Sequence, residues 1–109
     1  GFPIFSISAY RVGKSKGALN AHGERTEFSH HSYGTAIDIN SELNGLYDHC
    51  EKFSPTCRLI RGGHYNENAR GAISAKSPIY FSMREIGFKW GGEIAGRQKD
   101  FMHFSLTGY

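Results

Sequence analysis

Two stretches of the chain alternate between apolar and polar residues in the way that strands do. Phe2 to Tyr10 alternates loosely, whereas Thr35 to Asn40 is more regular, with Ile37 and Ile39 on one face and Asp38 on the other. Because successive side chains of a strand point to opposite faces, each pattern predicts a half-buried strand.

A helix and two further strands are predicted towards the C-terminus. Ser77 is a suitable N-cap, Pro78 suits the first helical turn, and Gly87 would end the helix. Its expected apolar face consists of Ile79, Met83 and Ile86. The strands follow at Phe88 to Trp90 and Phe101 to Leu106, joined by a turn from Gly91 to Lys99.

The rest of the chain is richer in turn signals than in periodic segments. Lys16 to Ala21 predicts a short helix that ends near Gly23, and residues 41–75 are expected to be mostly loops. A length of 109 residues favours one domain, residues 1–109. The element order predicts an α+β fold: a small, mostly antiparallel sheet with flanking helices.

Composition narrows the class of protein. A hydrophobic content of 39% and a charged content of 21% are typical of a globular domain, and no apolar run is long enough to cross a bilayer. The net charge of +3 suits an anionic partner, but the basic residues are scattered and form no stripe interleaved with aromatics, which disfavours nucleic-acid binding. No signal peptide is visible, and because the chain opens abruptly at Gly1-Phe2-Pro3 we interpret it as a mature or trimmed product, so location stays open.

The two cysteines, Cys50 and Cys57, allow two interpretations. A disulfide between them would close a short loop, stabilise it by a few kcal/mol at most, and indicate an oxidising compartment. Two free thiols are the alternative. A zinc knuckle is disfavoured, because the spacing is not that of a metal-binding pair.

Two histidines and two aspartates form the most informative polar set. His31 and Asp38 are seven residues apart, and a turn at Gly34 would let both side chains reach one point. His103 would join them if its strand pairs with Thr35 to Asn40. Imidazole nitrogen and carboxylate oxygen are preferred zinc ligands, and catalytic zinc sites use three protein ligands and keep one position for water.

Asp100 would be the spare carboxylate of this site. It could take a proton from a water that zinc has acidified and return it to a leaving amine. On the predicted strand, His103 would share a face with Phe101 and Ser105, while Met102 and Phe104 would point into the core. From spacing alone, His30 is an alternative to His31, and the other histidines are taken as non-ligands.

These motifs resemble those of a known enzyme family. Ser29-x-His31-x-x-Gly34-x-Ala36-x-Asp38, followed by Asp100-x-x-His103, is similar to the zinc-dependent D-alanyl-D-alanine carboxypeptidases and dipeptidases of the VanY and VanX type. It is equally similar to the related L-alanyl-D-glutamate peptidases of phage endolysins and bacterial wall hydrolases. The segment Gly87-Phe88-Lys89-Trp90-Gly91-Gly92 resembles the C-terminal block of that group, and the similarity runs from about Tyr10 to Phe104.

The resemblance implies a role for each matching residue. His31, Asp38 and His103 would bind one Zn²⁺, and Asp100 would be the general base and acid. Arg11, in a Tyr-Arg segment, would help to stabilise the carbonyl oxygen, and Ser29 would support the metal site by hydrogen bonding. The expected fold is the one shared with the hedgehog signalling domain.

The implied activity is hydrolysis of peptide bonds in bacterial peptidoglycan, outside the cytoplasm: extracellular, periplasmic or at the cell envelope. A D-alanyl-D-alanine carboxypeptidase is slightly preferred over an L-alanyl-D-glutamate endopeptidase. A carboxypeptidase needs a cation for the free carboxylate of its substrate, and the candidates are Arg61, Arg70 and Arg97. A non-catalytic zinc-binding module is the alternative of another class, and the presence of Asp100 argues against it.

Two departures from the family pattern affect this reading. Ile94 stands where many relatives have a tryptophan after the Trp-Gly-Gly triplet, which would alter the wall of the pocket. Residues 12–28 align poorly, so Arg11 is the least secure assignment. Trp90 itself has an alternative role as a core anchor.

Overall fold

Antiparallel strands form most of the regular structure. The computed structural model describes residues 2–12, 14–19, 25–28 and 34–109. The strands are β1 (Ile7–Val12), β2 (Lys14–Leu19), β3 (Arg25–Phe28), β4 (Gly34–Ile39), β5 (Leu46–Asp48), β6 (Arg58–Arg61), β7 (Lys89–Trp90), β8 (Lys99–Asp100) and β9 (His103–Ser105). The helix α1 spans Pro78–Glu85. The predicted α+β class is confirmed.

The strands belong to three sheets within the described ranges. The largest has the order β1-β4-β9-β7, a second pairs β2 with β3, and a third has the order β6-β5-β8. All the pairings are antiparallel. The predicted pairing of the strand at residues 35–40 with the C-terminal strand is confirmed, since β4 pairs with β9. The expectation of one sheet was too simple, because part of the segment expected to be loops forms β5 and β6.

The helix predicted at Lys16 to Ala21 is wrong, since residues 14–19 form β2. Gly17 weakens a helix at its centre, and antiparallel pairing with β3 satisfies the backbone instead. Several flanking helices were expected, but the described part of the chain contains one helix, α1. At eight residues, α1 has neither the length nor the apolarity to span a membrane, and the described residues contain no other candidate.

The core lies between α1 and the sheets. Its buried apolar members are Ile39, Tyr47, Cys50, Ile73, Tyr80, Met83, Trp90, Phe101 and Phe104. The helix contributes Tyr80 and Met83, whereas Ile86, expected on the same face, is 65% exposed at the C-cap. Ser77 occupies the N-cap position as predicted, but its hydroxyl accepts a hydrogen bond from the Ser74 N–H at 2.9 Å and makes none to the helix.

Trp90 is the core anchor that the alternative interpretation expected. Its indole N–H donates to the Phe101 carbonyl at 2.8 Å, and its ring lies edge-on to Tyr80. Phe101 stacks on Tyr65 with ring centroids 3.8 Å apart, so it belongs to the core. The prediction that Phe101 shares the face of His103 is therefore wrong, because β9 begins only at His103 and strand alternation does not extend back to Phe101.

Two features hold segments of the chain together in addition to the strand pairings. The fully buried Asn40 side chain accepts hydrogen bonds from the Phe5 and Ser6 N–H groups and donates to the Pro3 and Gly71 carbonyls. It thereby ties the N-terminal segment to the end of β4. Farther on, Cys50 and Cys57 form a disulfide that closes the connection between β5 and β6.

Candidate metal centre

Asp38 and His103 meet on neighbouring strands. The register of β4 against β9 places them directly opposite each other, with Ser8 of β1 opposite Asp38 on the other side. Asp38 Oδ1 lies 3.0 Å from His103 Nδ1, and both side chains are buried. The alternation that turns Ile37 and Ile39 towards the core therefore turns Asp38 towards the site.

Asp100 lies close to Asp38 and His103 but belongs to the sheet of β6, β5 and β8. It ends the short strand β8, which pairs with β5, and its N–H donates to the Gly91 carbonyl at 3.0 Å. One ligand atom from each of Asp38, Asp100 and His103 can be chosen so that all three lie within 4.8 Å of one another. The structure thus brings together three of the four residues singled out in the sequence. Ser29 and His31, and the rival His30, lie outside the described residues.

The Asp100 carboxyl is electrostatically unusual. Burial raises its pKa, the charge of His103 lowers it and that of Asp38 raises it, so that the pKa reaches about 6. Its Oδ1 atom is buried and has no hydrogen-bond partner among the described residues. A carboxyl in this state exchanges a proton near neutral pH, as a general base and acid must.

The His103 ring lies between two hydrogen-bond acceptors. Its Nε2 is 2.9 Å from the Tyr109 carbonyl oxygen, and its Nδ1 faces Asp38 Oδ1. Burial lowers the pKa of His103, but the hydrogen bond to Asp38 and the charges of Asp100 and Asp38 outweigh it and raise the pKa above its ordinary value. Either a proton or a metal ion can fill the position between Nδ1 and Oδ1. The Tyr109 carbonyl favours Nε2–H, which directs the Nδ1 lone pair towards that position.

This donor set suits zinc. Imidazole nitrogen and carboxylate oxygen are its usual ligands apart from thiolate. Asp38 and His103 supply both kinds at one point, and the unpartnered Asp100 Oδ1 lies beside them. The described residues can therefore hold part of a metal coordination sphere.

Tyr10 is a member of the site that the sequence reasoning missed. Its hydroxyl lies 3.3 Å from Asp38 Oδ2 and 3.3 Å from His103 Nδ1. Burial, the charges of Asp38 and Asp100, and the hydrogen bond to Asp38 raise the pKa of Tyr10 to about 12, so the phenol keeps its proton. The pairing of β1 with β4 could have revealed Tyr10. Ser8 pairs with Asp38, and Tyr10, two residues farther along β1, therefore points to the same face of the sheet.

Two arginines occupy different positions relative to the site. Arg11 is exposed, and strand alternation directs it to the face opposite Tyr10. Arg61, at the end of β6, places Nη2 3.3 Å from Asp38 Oδ2. The cation that the described structure brings to Asp38 is therefore Arg61, while the role expected of Arg11 stays a prediction.

Two clefts adjoin the centre. One has a volume of about 560 Å³ and includes Ser6, Ser8, Tyr10, Asp38 and Arg61 in its wall. The other, of about 750 Å³, is bounded by Asp100, Arg97 and Tyr109, and by Ile94, the residue that we expected in the wall of the pocket. Asp38 thus lines one cleft and Asp100 the other.

Comparison with known proteins identifies one family. The model of a family described as D-alanyl-D-alanine carboxypeptidase matches residues 22–106, which contain Asp38, Asp100 and His103. No curated protein and no solved structure matches the chain.

Proposed function

Because the chain belongs to the D-alanyl-D-alanine carboxypeptidase family, we propose that it is a zinc-dependent peptidase that removes a terminal D-alanine from peptidoglycan stem peptides. The observation that carries the proposal is the meeting of Asp38, Asp100 and His103 at one point, with ligand atoms within 4.8 Å of one another. Their spacing in the sequence matches the family motif, and their chemistry suits metal-assisted hydrolysis.

In the proposed arrangement, Asp38 and His103 would hold the metal, and His31, which lies outside the described residues, would be the third ligand of the family motif. A zinc ion held there would supply a Lewis acid that acidifies water and polarises the scissile carbonyl. Tyr10 donates its hydroxyl proton to Asp38, which keeps that carboxylate oriented. The Tyr109 carbonyl holds the His103 ring in the tautomer that leaves Nδ1 available.

Asp100 moves the proton in this mechanism. As a carboxylate, it accepts a proton from the attacking water, and burial, which raises its pKa in the metal-free chain, favours the protonated form that follows. It then donates the proton to the nitrogen of the scissile bond, so the departing residue leaves as a neutral amine and not as an amide anion. A purely metal-binding module would need no such carboxyl.

Two further parts of the proposal concern the location and the fold. The disulfide between Cys50 and Cys57 is of a kind that persists in oxidising surroundings, which suits an extracellular, periplasmic or envelope location. The α+β class and antiparallel sheets are compatible with the hedgehog-like arrangement that the family resemblance implies.

Digestion of defined muropeptides, followed by mass spectrometry, tests the function. With zinc, we expect loss of one alanine from pentapeptide stems, and with a chelator we expect none. Cleavage between L-alanine and D-glutamate would instead establish an endopeptidase. Zinc binding without cleavage of any stem would overturn the peptidase and leave a binding module.

Matched variants connect the reaction to the site. Asp100→Asn should abolish turnover while zinc is retained, whereas His103→Ala should lose zinc as well. Asp48→Asn is the control, since Asp48 forms its ion pair with Arg58 rather than with the centre.

A further inference from the structure

The guanidinium of Arg61 touches the candidate metal centre through one nitrogen. Nη2 lies 3.3 Å from Asp38 Oδ2 and 3.8 Å from Met102 Sδ. No other nitrogen of the group is hydrogen-bonded within the described part of the chain, and the side chain is 63% exposed. Most of the donors that make arginine a two-pronged carboxylate binder therefore remain available to a ligand.

Strand register places Arg61 on the same side as Asp100. Both residues are paired with Leu46 of β5, Arg61 from β6 and Asp100 from β8. Residues in one row across a sheet direct their side chains to the same face. The sheet therefore presents a cation and the proposed proton carrier together, on either side of one strand.

The cleft beside Arg61 contains several polar side chains and includes Asp38 of the candidate metal centre in its wall. Ser6, Ser8 and Tyr10 bring hydroxyl groups to its wall, and Asp38 forms part of it. Consecutive residues of a peptide are about 3.8 Å apart at their Cα atoms. A carboxylate one residue beyond the scissile carbonyl is thus within reach of a guanidinium that touches Asp38.

The other candidate arginines are placed differently. The Arg70 guanidinium lies over the Phe5 ring, 5.9 Å from its centre. Arg97 lines the other cleft, on the Asp100 side. Among these three candidates, Arg61 alone contacts an aspartate of the centre in the described structure.

We propose that Arg61 binds the free C-terminal carboxylate of the substrate and so selects removal of a terminal residue over cleavage within a stem. This inference rests on the proposed peptidase function. It assigns specificity to a residue of the β5–β6 hairpin.

Two peptides that differ at one group test the proposal. Both are N-acetylated and end in D-alanyl-D-alanine, one with a free carboxylate and the other with a C-terminal amide. The zinc-loaded wild type should prefer the carboxylate by about 10- to 100-fold in kcat/KM, the range expected for a charge-assisted hydrogen-bonded pair.

Arg61→Ala should remove this preference, because it should raise KM for the carboxylate peptide far more than for the amide. Arg61→Lys keeps the positive charge but lacks the paired N–H donors of the guanidinium. Its preference for the carboxylate peptide should therefore be intermediate between those of the wild type and Arg61→Ala. Arg58→Ala is the matched control, because Arg58 lies on the same strand but pairs with the exposed Asp48. Equal zinc content in all variants, measured by elemental analysis, separates substrate recognition from metal loss.

A binding measurement tests the role of Arg61 separately from the proposed peptidase function. Zinc-loaded Asp100→Asn, titrated with each peptide by calorimetry, should bind the carboxylate form more tightly, and adding Arg61→Ala should abolish the difference. If neither peptide is hydrolysed but this difference is found, the peptidase function fails while Arg61 keeps its role. Equal binding of both peptides, or hydrolysis of both by the wild type at equal efficiency, would overturn the role of Arg61.

Discussion

Replacing Asp100 with asparagine should stabilise the metal-free protein at pH 8 while removing its proposed activity. An ordinary aspartate has a pKa of 3.8, whereas burial, partly offset by His103 and reinforced by Asp38, raises that of Asp100 to about 6. A difference of about two pH units corresponds to about 3 kcal/mol of unfolding free energy. Because the side chain is partly accessible to solvent, we expect a gain of about 2 kcal/mol.

The sign of this effect depends on pH. Below pH 3.8, the Asp100 carboxyl is protonated in both the folded and the unfolded chain, so ionisation costs nothing. Between pH 3.8 and about 6, the unfolded chain ionises first, and the folded state loses relative stability. Above pH 6, Asp100 is ionised in both the folded and the unfolded chain, and the loss of unfolding free energy has its full value. Since asparagine does not ionise, the advantage of the variant should grow over the same interval.

Urea unfolding of chelator-treated protein, in a series from about pH 4 to pH 8, measures this advantage. Asp48→Asn is the control, because its hydrogen bond with Arg58 lowers the pKa of Asp48, so that removing its charge should give no stabilisation at pH 8. An Asp100→Asn variant that is no more stable than wild type at pH 8, or whose gain is the same at pH 4, would refute the argument from burial.

Two other predictions concern the support of the site. Tyr10→Phe removes the hydroxyl 3.3 Å from Asp38 Oδ2; it should weaken zinc affinity by about 10-fold, measured by competition with a chromophoric chelator, and unchanged affinity would contradict the supporting role. Replacing both Cys50 and Cys57 with serine should lower the unfolding free energy by about 2 kcal/mol, because the disulfide closes a loop with a sequence separation of 7. An unchanged urea midpoint would argue against this loop-closure effect. Reduction of the wild-type protein should also increase its mass by two hydrogens.

The parts of the fold that sequence predicted well depend on local periodicity. Strict alternation identified the strand that became β4, and the Ser77-Pro78 start with a glycine stop identified α1. These patterns report which side of one element faces the core, and that information is carried by residues close together in the chain. Failures occurred where pairing with another segment decided the structure instead of the pattern within one segment, as for Lys14–Leu19, which pairs with β3.

Strand boundaries caused the other misjudgements. Phe101 was expected on the face of His103, but the regular strand starts two residues later, and Phe101 turns into the aromatic core. The β5–β6 hairpin was hidden within a segment dominated by turn signals. As a consequence, Arg61 was one of three equivalent candidates in the sequence, whereas the hairpin brings it to Asp38.

The sequence by itself determined which groups are available for the proposed chemistry: the residue types of His31, Asp38, Asp100 and His103, together with their match to the family motif, predict a zinc site and a proton carrier. Tertiary structure decided the environment of those groups. Pairing of β4 with β9 puts Asp38 against His103, and the sheet of β6, β5 and β8 brings Asp100 and Arg61 to them. The reason is physical: residue type sets which protons and metals a side chain can bind, whereas burial and neighbouring charges from distant segments set the pKa of about 6 at Asp100.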